Sequence, residues 1–163
     1  MKRSNMKRGA RKALAGVAMA SALAGVNVGV AAPASAAIDT GGNCVDRCLY
    51  LYFNTGYSGS RFVMSYTGSG TNGIPNLAGY KFVTGGSGQG QAVKNNAASA
   101  KATFPGVGTS WVIYYNSGYA GACDAIRAYQ EVEYAYKLQN TYNQNASARF
   151  LNSTPSGCYR FGS

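Results

Sequence analysis

The sequence predicts an all-β protein in which two Greek-key motifs pack as one disulfide-stabilised sandwich. Three observations carry that expectation. The stretch Leu51–Gly59, Leu-Tyr-Phe-Asn-Thr-Gly-Tyr-Ser-Gly, returns 62 residues later as Ile113–Gly121, Ile-Tyr-Tyr-Asn-Ser-Gly-Tyr-Ala-Gly. A shorter stretch, Asn95-Asn96-Ala97-Ala98-Ser99-Ala100, returns as Asn143-Gln144-Asn145-Ala146-Ser147-Ala148. Two repeated elements in the same order mean two copies of one unit. The composition agrees: all 13 Tyr, all 6 Phe and Trp111 follow residue 36, among many Gly, Ser and Asn and few helix formers.

Residues 1–36 have the plan of a cleaved secretory signal. Lys2, Arg3, Lys7, Arg8, Arg11 and Lys12 form a basic start, Ala13–Val30 is a small-residue apolar run, and Ala34-Ser35-Ala36 offers a cleavage site. A spanning helix fits less well, because Gly16, Gly25, Asn27 and Gly29 weaken the run and no basic stop-transfer cluster follows. The expected product is a secreted, extracellular domain over residues 37–163, with repeat one at about 44–105 and repeat two at about 110–152. Six of the 15 Lys and Arg, and none of the five acids, lie in the signal, so this product carries 9 − 5 = +4. Charge that modest and dispersed excludes a nucleic-acid footprint. No later segment spans a bilayer, so neither nucleic acid nor membrane is expected as partner, and the chain is expected to be a monomer.

Taken in order, residues 37–43 are a small, polar lead-in. Arg47–Phe53 is the first strand, and Ser60–Tyr66 returns across a hairpin. In that hairpin Tyr52 starts a Tyr-x6-Gly pattern, and Gly56 and Gly59 supply the backbone freedom for the fold-back. Tyr114, Gly118 and Gly121 repeat it. Gly/Ser-rich loops at residues 67–73 and 85–90 flank Ile74–Val83, and Ala100–Phe104 is the last strand of the first unit. Residues 105–109 link the units. Trp111–Tyr115, Ala122–Ala128 and Ala148–Asn152 are strands of the second. Residues 131–138 are ambiguous: Ala125, Ala128, Tyr129, Val132 and Tyr136 have helical spacing, whereas Val132, Tyr134, Tyr136 and Leu138 alternate as a strand would. Strand is favoured, since the counterpart in the first copy is Gly-rich. Gly59 to Ser99 is 40 residues but Gly121 to Ser147 only 26, so the first copy holds about 14 extra, placed around residues 67–90.

Cys44, Cys48, Cys123 and Cys158 form an even set in an exported chain, which implies two disulfides with three pairings open. Local closure favours Cys44–Cys48, leaving Cys123–Cys158 to tie repeat two to the C-terminus. A zinc site is disfavoured: no second Cys pair has ligand spacing and the chain has no His. The missing His also removes Ser–His and Cys–His nucleophile pairs. The five acids, Asp39, Asp46, Asp124, Glu131 and Glu133, form no carboxylate pair that spacing alone can place. No catalytic residue, and no enzymatic activity, is expected.

The paired Tyr-x6-Gly hairpins and Asn/Ser turns, behind a signal and a Cys-rich first strand, resemble the βγ-crystallins. More narrowly, the chain resembles peptidase inhibitor family 36, small exported proteins that include an actinobacterial metalloproteinase inhibitor. The resemblance covers roughly Cys44–Leu151. It implies a secreted peptidase inhibitor that binds an extracellular protease. The alternatives are a non-inhibitory binding or structural module and a secreted toxin-like protein. The family's short disulfide-closed loop has no counterpart beside Cys123, so no residue is assigned as an inhibitory reactive site. If the chain does block a peptidase, a loop of repeat one within Thr67–Gly90 is expected to make much of the contact. The crystallin turns also imply calcium as the one candidate cofactor, through Asn96, the Ala97 carbonyl and Ser99 in one turn and Asn145 and Ser147 in the other. Ala100 and Ala148 replace the final Ser of the pattern and neither turn has a carboxylate, so binding is expected to be weak. The competing role of these residues is to hold the turns by their own hydrogen bonds.

Overall fold

A computed structural model describes residues 38–68, 71–104 and 106–162, so the signal segment lies outside the described residues. The described residues form ten strands: β1 (Ile38–Gly41), β2 (Arg47–Tyr52), β3 (Arg61–Tyr66), β4 (Asn72–Ile74), β5 (Ser99–Thr103), β6 (Ser110–Asn116), β7 (Ala120–Arg127), β8 (Val132–Ala135), β9 (Ser147–Leu151) and β10 (Tyr159–Phe161). They form two five-stranded sheets, ordered β1-β3-β2-β5-β8 and β10-β7-β6-β9-β4. The third strand of each copy crosses over: β4 of repeat one pairs with β9, and β8 of repeat two pairs with β5. Neither copy completes a sheet alone, so the repeats fold as one two-sheet sandwich.

Alternation along each strand builds the core. Leu49 and Leu51 of β2, Phe62, Met64 and Tyr66 of β3, Trp111 and Ile113 of β6 and Phe150 of β9 face inward and are buried. Each full burial of such a side chain is worth about 1.5–3 kcal/mol. Trp111 meets Phe150 edge to face at 5.4 Å.

Four readings of the sequence need correction. The polar lead-in is an edge strand, β1, paired antiparallel with β3; Asp39 and Thr40 carry no β signal, and pairing is supplied by the neighbour. The stretch after Tyr66 is not loop throughout, because residues 72–74 are β4. Gly73 is there for close approach, since a Cβ would overlap the Ala148 carbonyl oxygen and the Arg149 side chain of β9. Residues 159–161, unassigned by the sequence, form β10, parallel to β7. The extra length of repeat one lies later than expected. Leu77 and Leu138 hold equivalent places, donating backbone N–H to Ala146 and Ala98. Leu77 to Asn95 is 18 residues against 5 from Leu138 to Asn143, so 13 of the 14 extra residues fall there.

That insertion is anchored rather than loose. Phe82 and Val93 are buried, Lys81 bridges to Ala92, and Phe82 packs edge to face on Phe53 at 5.6 Å. Gly88, at φ +86°, lies so close to Phe53 that a side chain would overlap the ring.

Residues 132–135 are a strand, and its register decides a surface. Ala135 points inward and is buried, which turns Tyr134 outward; the chain then bends, so Tyr136 is exposed while Leu138 returns to the core. Cys44 is joined to Cys48 and Cys123 to Cys158. The second bridge lies over a small outer cluster of Val112, Tyr114 and Ala125.

Candidate functional site

The two hairpins take the same backbone turn. Gly56, Tyr57 and Gly59 take φ of 69°, 59° and 76°, and Gly118, Tyr119 and Gly121 take 75°, 64° and 81°. In each, a left-handed tyrosine folds back onto the strand tyrosine: Tyr57 on Tyr52 and Tyr119 on Tyr114, both at 6.0 Å between ring centres. Each turn is tied down by the serine of the other repeated element. Ser99 Oγ accepts from Tyr57 N (3.1 Å) and donates to the Asn54 carbonyl (2.6 Å). Ser147 Oγ accepts from Tyr119 N (3.0 Å) and donates to the Asn116 carbonyl (2.7 Å).

Those bonds bear on the calcium residues. Asn145 is fully buried, its Oδ1 accepting from Ala97 N (3.2 Å) and its Nδ2 donating to the carbonyls of Ala97 (2.7 Å) and Thr141 (3.0 Å). The Ala97 N–H and two carbonyls fix this amide orientation; flipping it would set like groups against each other. The Ala97 carbonyl also accepts from Asn143 N at 3.0 Å, which fills both its lone pairs. Asn96 turns its amide nitrogen to the carbonyls of Ala92 and Lys94. Of the oxygens the resemblance would offer a cation, those of Ala97, Ser99, Asn145 and Ser147 are thus taken up by the protein, and Asn96 alone does not make a calcium site. Calorimetric titration is expected to show no calcium binding tighter than about 10⁻⁴ M; micromolar binding abolished by Ser99→Ala would contradict this.

The acids are dispersed. Asp46 pairs with Arg47 at 3.6 Å, and Glu133 accepts from the backbone N–H of Tyr129 and Gln130. Asp124 is fully buried. It points from β7 into the loop after β8, accepting from the N–H groups of Gln139 (3.1 Å), Asn140 (3.1 Å) and Thr141 (2.9 Å) and from Thr141 Oγ1 (2.7 Å). It is a tie between the sheets.

A tyrosine cluster that the sequence did not single out stands on the outer face of the first sheet. Tyr57 meets Tyr134 at 5.3 Å and Tyr136 at 5.8 Å, so rings from both repeats share one patch. Gly56 N donates to the Tyr136 carbonyl at 2.9 Å, and the Tyr136 ring lies against Gly56, where a Cβ would stand 3.1 Å from its hydroxyl. Tyr134 and Tyr136 remain 50% and 66% exposed. Tyr50 lies alongside, with the Lys101 ammonium 5.1 Å and the Arg61 guanidinium 5.8 Å from its ring centre. Partial burial, reinforced by the neighbouring phenols, pushes the Tyr57 hydroxyl pKa above its ordinary value. The signal was present in the alternation of Val132-Glu133-Tyr134-Ala135-Tyr136, but which face turns outward is set by the pairing with β5.

The duplication supplies an internal control. On the second sheet Gly73 and Pro75 hold the places of Tyr134 and Tyr136: Gly73 pairs with Arg149 as Tyr134 pairs with Lys101, and the Pro75 carbonyl accepts from Gly118 N at 2.8 Å. There Arg149 covers Tyr119 and Tyr114, with its guanidinium 4.9 and 5.4 Å from their ring centres. The fold therefore does not require the exposed tyrosines.

No family model matches the chain, and no curated protein does. Among solved structures it is similar to the N-terminal domain of protein S, at 22% identity and a TM-score of 0.42, over 66% of this chain and 98% of that one. Among the described residues no helix is long and apolar enough to cross a membrane.

Proposed function

We propose that this chain is a non-catalytic extracellular binding module whose contact surface is the Tyr57–Tyr134–Tyr136 patch, and that its partner is a protein. The observation that carries this reading is the patch's presence on one sheet and its replacement by Gly73, Pro75 and Arg149 on the other. Tyr and Arg are enriched at protein interfaces because rigid rings contribute area at little entropy cost. Tyr57 is already fixed by its turn, so binding orders little.

A peptidase partner is what the resemblance to family 36 adds. The anchored insertion at residues 80–93 still offers a rigid element beside this sheet, since Ser60 N donates to the Ser87 carbonyl at 2.8 Å. The test is a panel of secreted metallo- and serine peptidases, assayed for both inhibition and retention on immobilised protein. Tyr134→Ala with Tyr136→Ala is expected to weaken retention at least tenfold while leaving the melting temperature within about 3 °C. Retention without inhibition would identify a binding module that is no inhibitor. Retention unchanged by the double substitution would remove the patch from the function.

A further inference from the structure

Repeat two carries an open cleft of about 290 Å³ apart from the tyrosine patch. Its walls bring together Arg127 at the end of β7, Arg160 of β10, the hydroxyl residues Thr109, Ser153 and Thr154, and the ring of Tyr129. The Arg127 guanidinium lies 4.7 Å from the Tyr129 ring centre, and Thr154 is oriented by a 2.5 Å hydrogen bond with Ser110. Arg160 is placed by the pairing of β10 with β7, two residues beyond the Cys123–Cys158 bridge.

Among the described residues neither guanidinium has a carboxylate partner, and the ion pair there joins Arg47 to Asp46. Glu133, on the adjoining segment, spends Oε1 on the backbone N–H of Tyr129 and Gln130, and its Oε2 lies against Gly162. Two cations that share a cleft repel each other, and a bound dianion turns that cost into attraction. The lining is rich in donors, and the forked guanidinium matches an oxyanion in a way that an ammonium does not. The place of Arg127 in repeat one is held by Ser65, which is buried, so the sandwich does not require an arginine there.

We propose that this cleft binds a phosphate or sulfate ester carried on a sugar unit. Arg127 and Arg160 hold the tetrahedral oxyanion, the hydroxyls of Thr109, Ser153 and Thr154 complete its hydrogen bonds, and the sugar lies against Tyr129. The volume exceeds what a bare oxyanion fills, and the half-exposed Tyr129 ring gives the remainder an apolar wall.

The test is an NMR titration of the disulfide-intact, isotope-labelled protein at low salt, with glucose 6-phosphate, inorganic phosphate, inorganic sulfate and glucose as separate probes. Saturable shifts are expected at Gly108, Arg127 and Arg160 with glucose 6-phosphate, weaker ones with the inorganic ions and none with glucose. Arg127→Gln and Arg160→Gln should each weaken glucose 6-phosphate about tenfold, while Arg149→Gln, on the same sheet but outside the cleft lining, should not. Absence of any saturable shift up to about 50 mM would overturn the site, as would equal affinity in a folded Arg127→Gln, Arg160→Gln double variant. Glucose 6-phosphate binding no tighter than inorganic phosphate would remove the sugar from the proposal.

Discussion

Replacing Asp124 with alanine should lower the unfolding free energy by on the order of 3–4 kcal/mol. The carboxylate is fully buried and accepts three backbone N–H bonds and one hydroxyl bond from residues 139–141. Removing it strands the backbone N–H and hydroxyl of buried Thr141 and takes the acceptor from the N–H groups of Gln139 and Asn140, and each unsatisfied buried donor costs about 1–3 kcal/mol. The loop it holds follows β8, the strand that crosses to the other repeat's sheet, so the damage is not local. Asp124→Asn is the informative control. It keeps the shape but turns one acceptor into a donor facing N–H groups, so it should recover little of the loss. Urea unfolding of both variants measures this; a loss under about 1 kcal/mol in Asp124→Ala would mean that water substitutes for the carboxylate.

The equivalent place in repeat one explains why this anchor was hidden in the sequence. Asp124 follows Cys123, which pairs with Tyr114; Phe62 follows Arg61, which pairs with Tyr52. Thr141 lies three residues after Leu138, and Tyr80 three after Leu77. Phe62 and Tyr80 pack their rings 5.4 Å apart where Asp124 and Thr141 exchange a hydrogen bond. The same joint is apolar in one copy and polar in the other, so repeat matching points to the joint but not to its chemistry. The two-unit plan and the hairpin turns were legible because glycine spacing and alternation are local and appear twice; the exchange of β4 and β8 between the sheets was not, because pairing across repeats leaves no local mark. The edge strands β1 and β10 were not, because three or four residues take their conformation from a neighbour. The tyrosine patch and the arginine cleft were missed for a related reason: each joins residues far apart in sequence whose outward direction depends on register.

Breaking the Cys123–Cys158 bridge by substituting both cysteines with alanine should cost about 3–4 kcal/mol and lower the melting temperature by roughly 10–20 °C. The bridge closes a loop with a sequence separation of 35, and in the chain-entropy model the loss grows with the logarithm of that length. The same substitution at Cys44 and Cys48, with a separation of 4, should cost only about 2 kcal/mol. Packing widens the difference. Cys123 and Cys158 belong to the outer cluster with Val112, Tyr114 and Ala125, and β10 is held to β7 by a ladder of three residue pairs. Without the bridge that short parallel ladder must hold its edge alone, and parallel pairing is the weaker kind. Hydrogen exchange should therefore quicken first at residues 159–161, below the global unfolding threshold. Because Arg160 sits on that strand, loss of the bridge should also weaken glucose 6-phosphate under conditions where the sandwich is still folded. Equal losses from the two cysteine pairs, or a β10 that stays protected, would show that the C-terminal strand is held by something other than the disulfide.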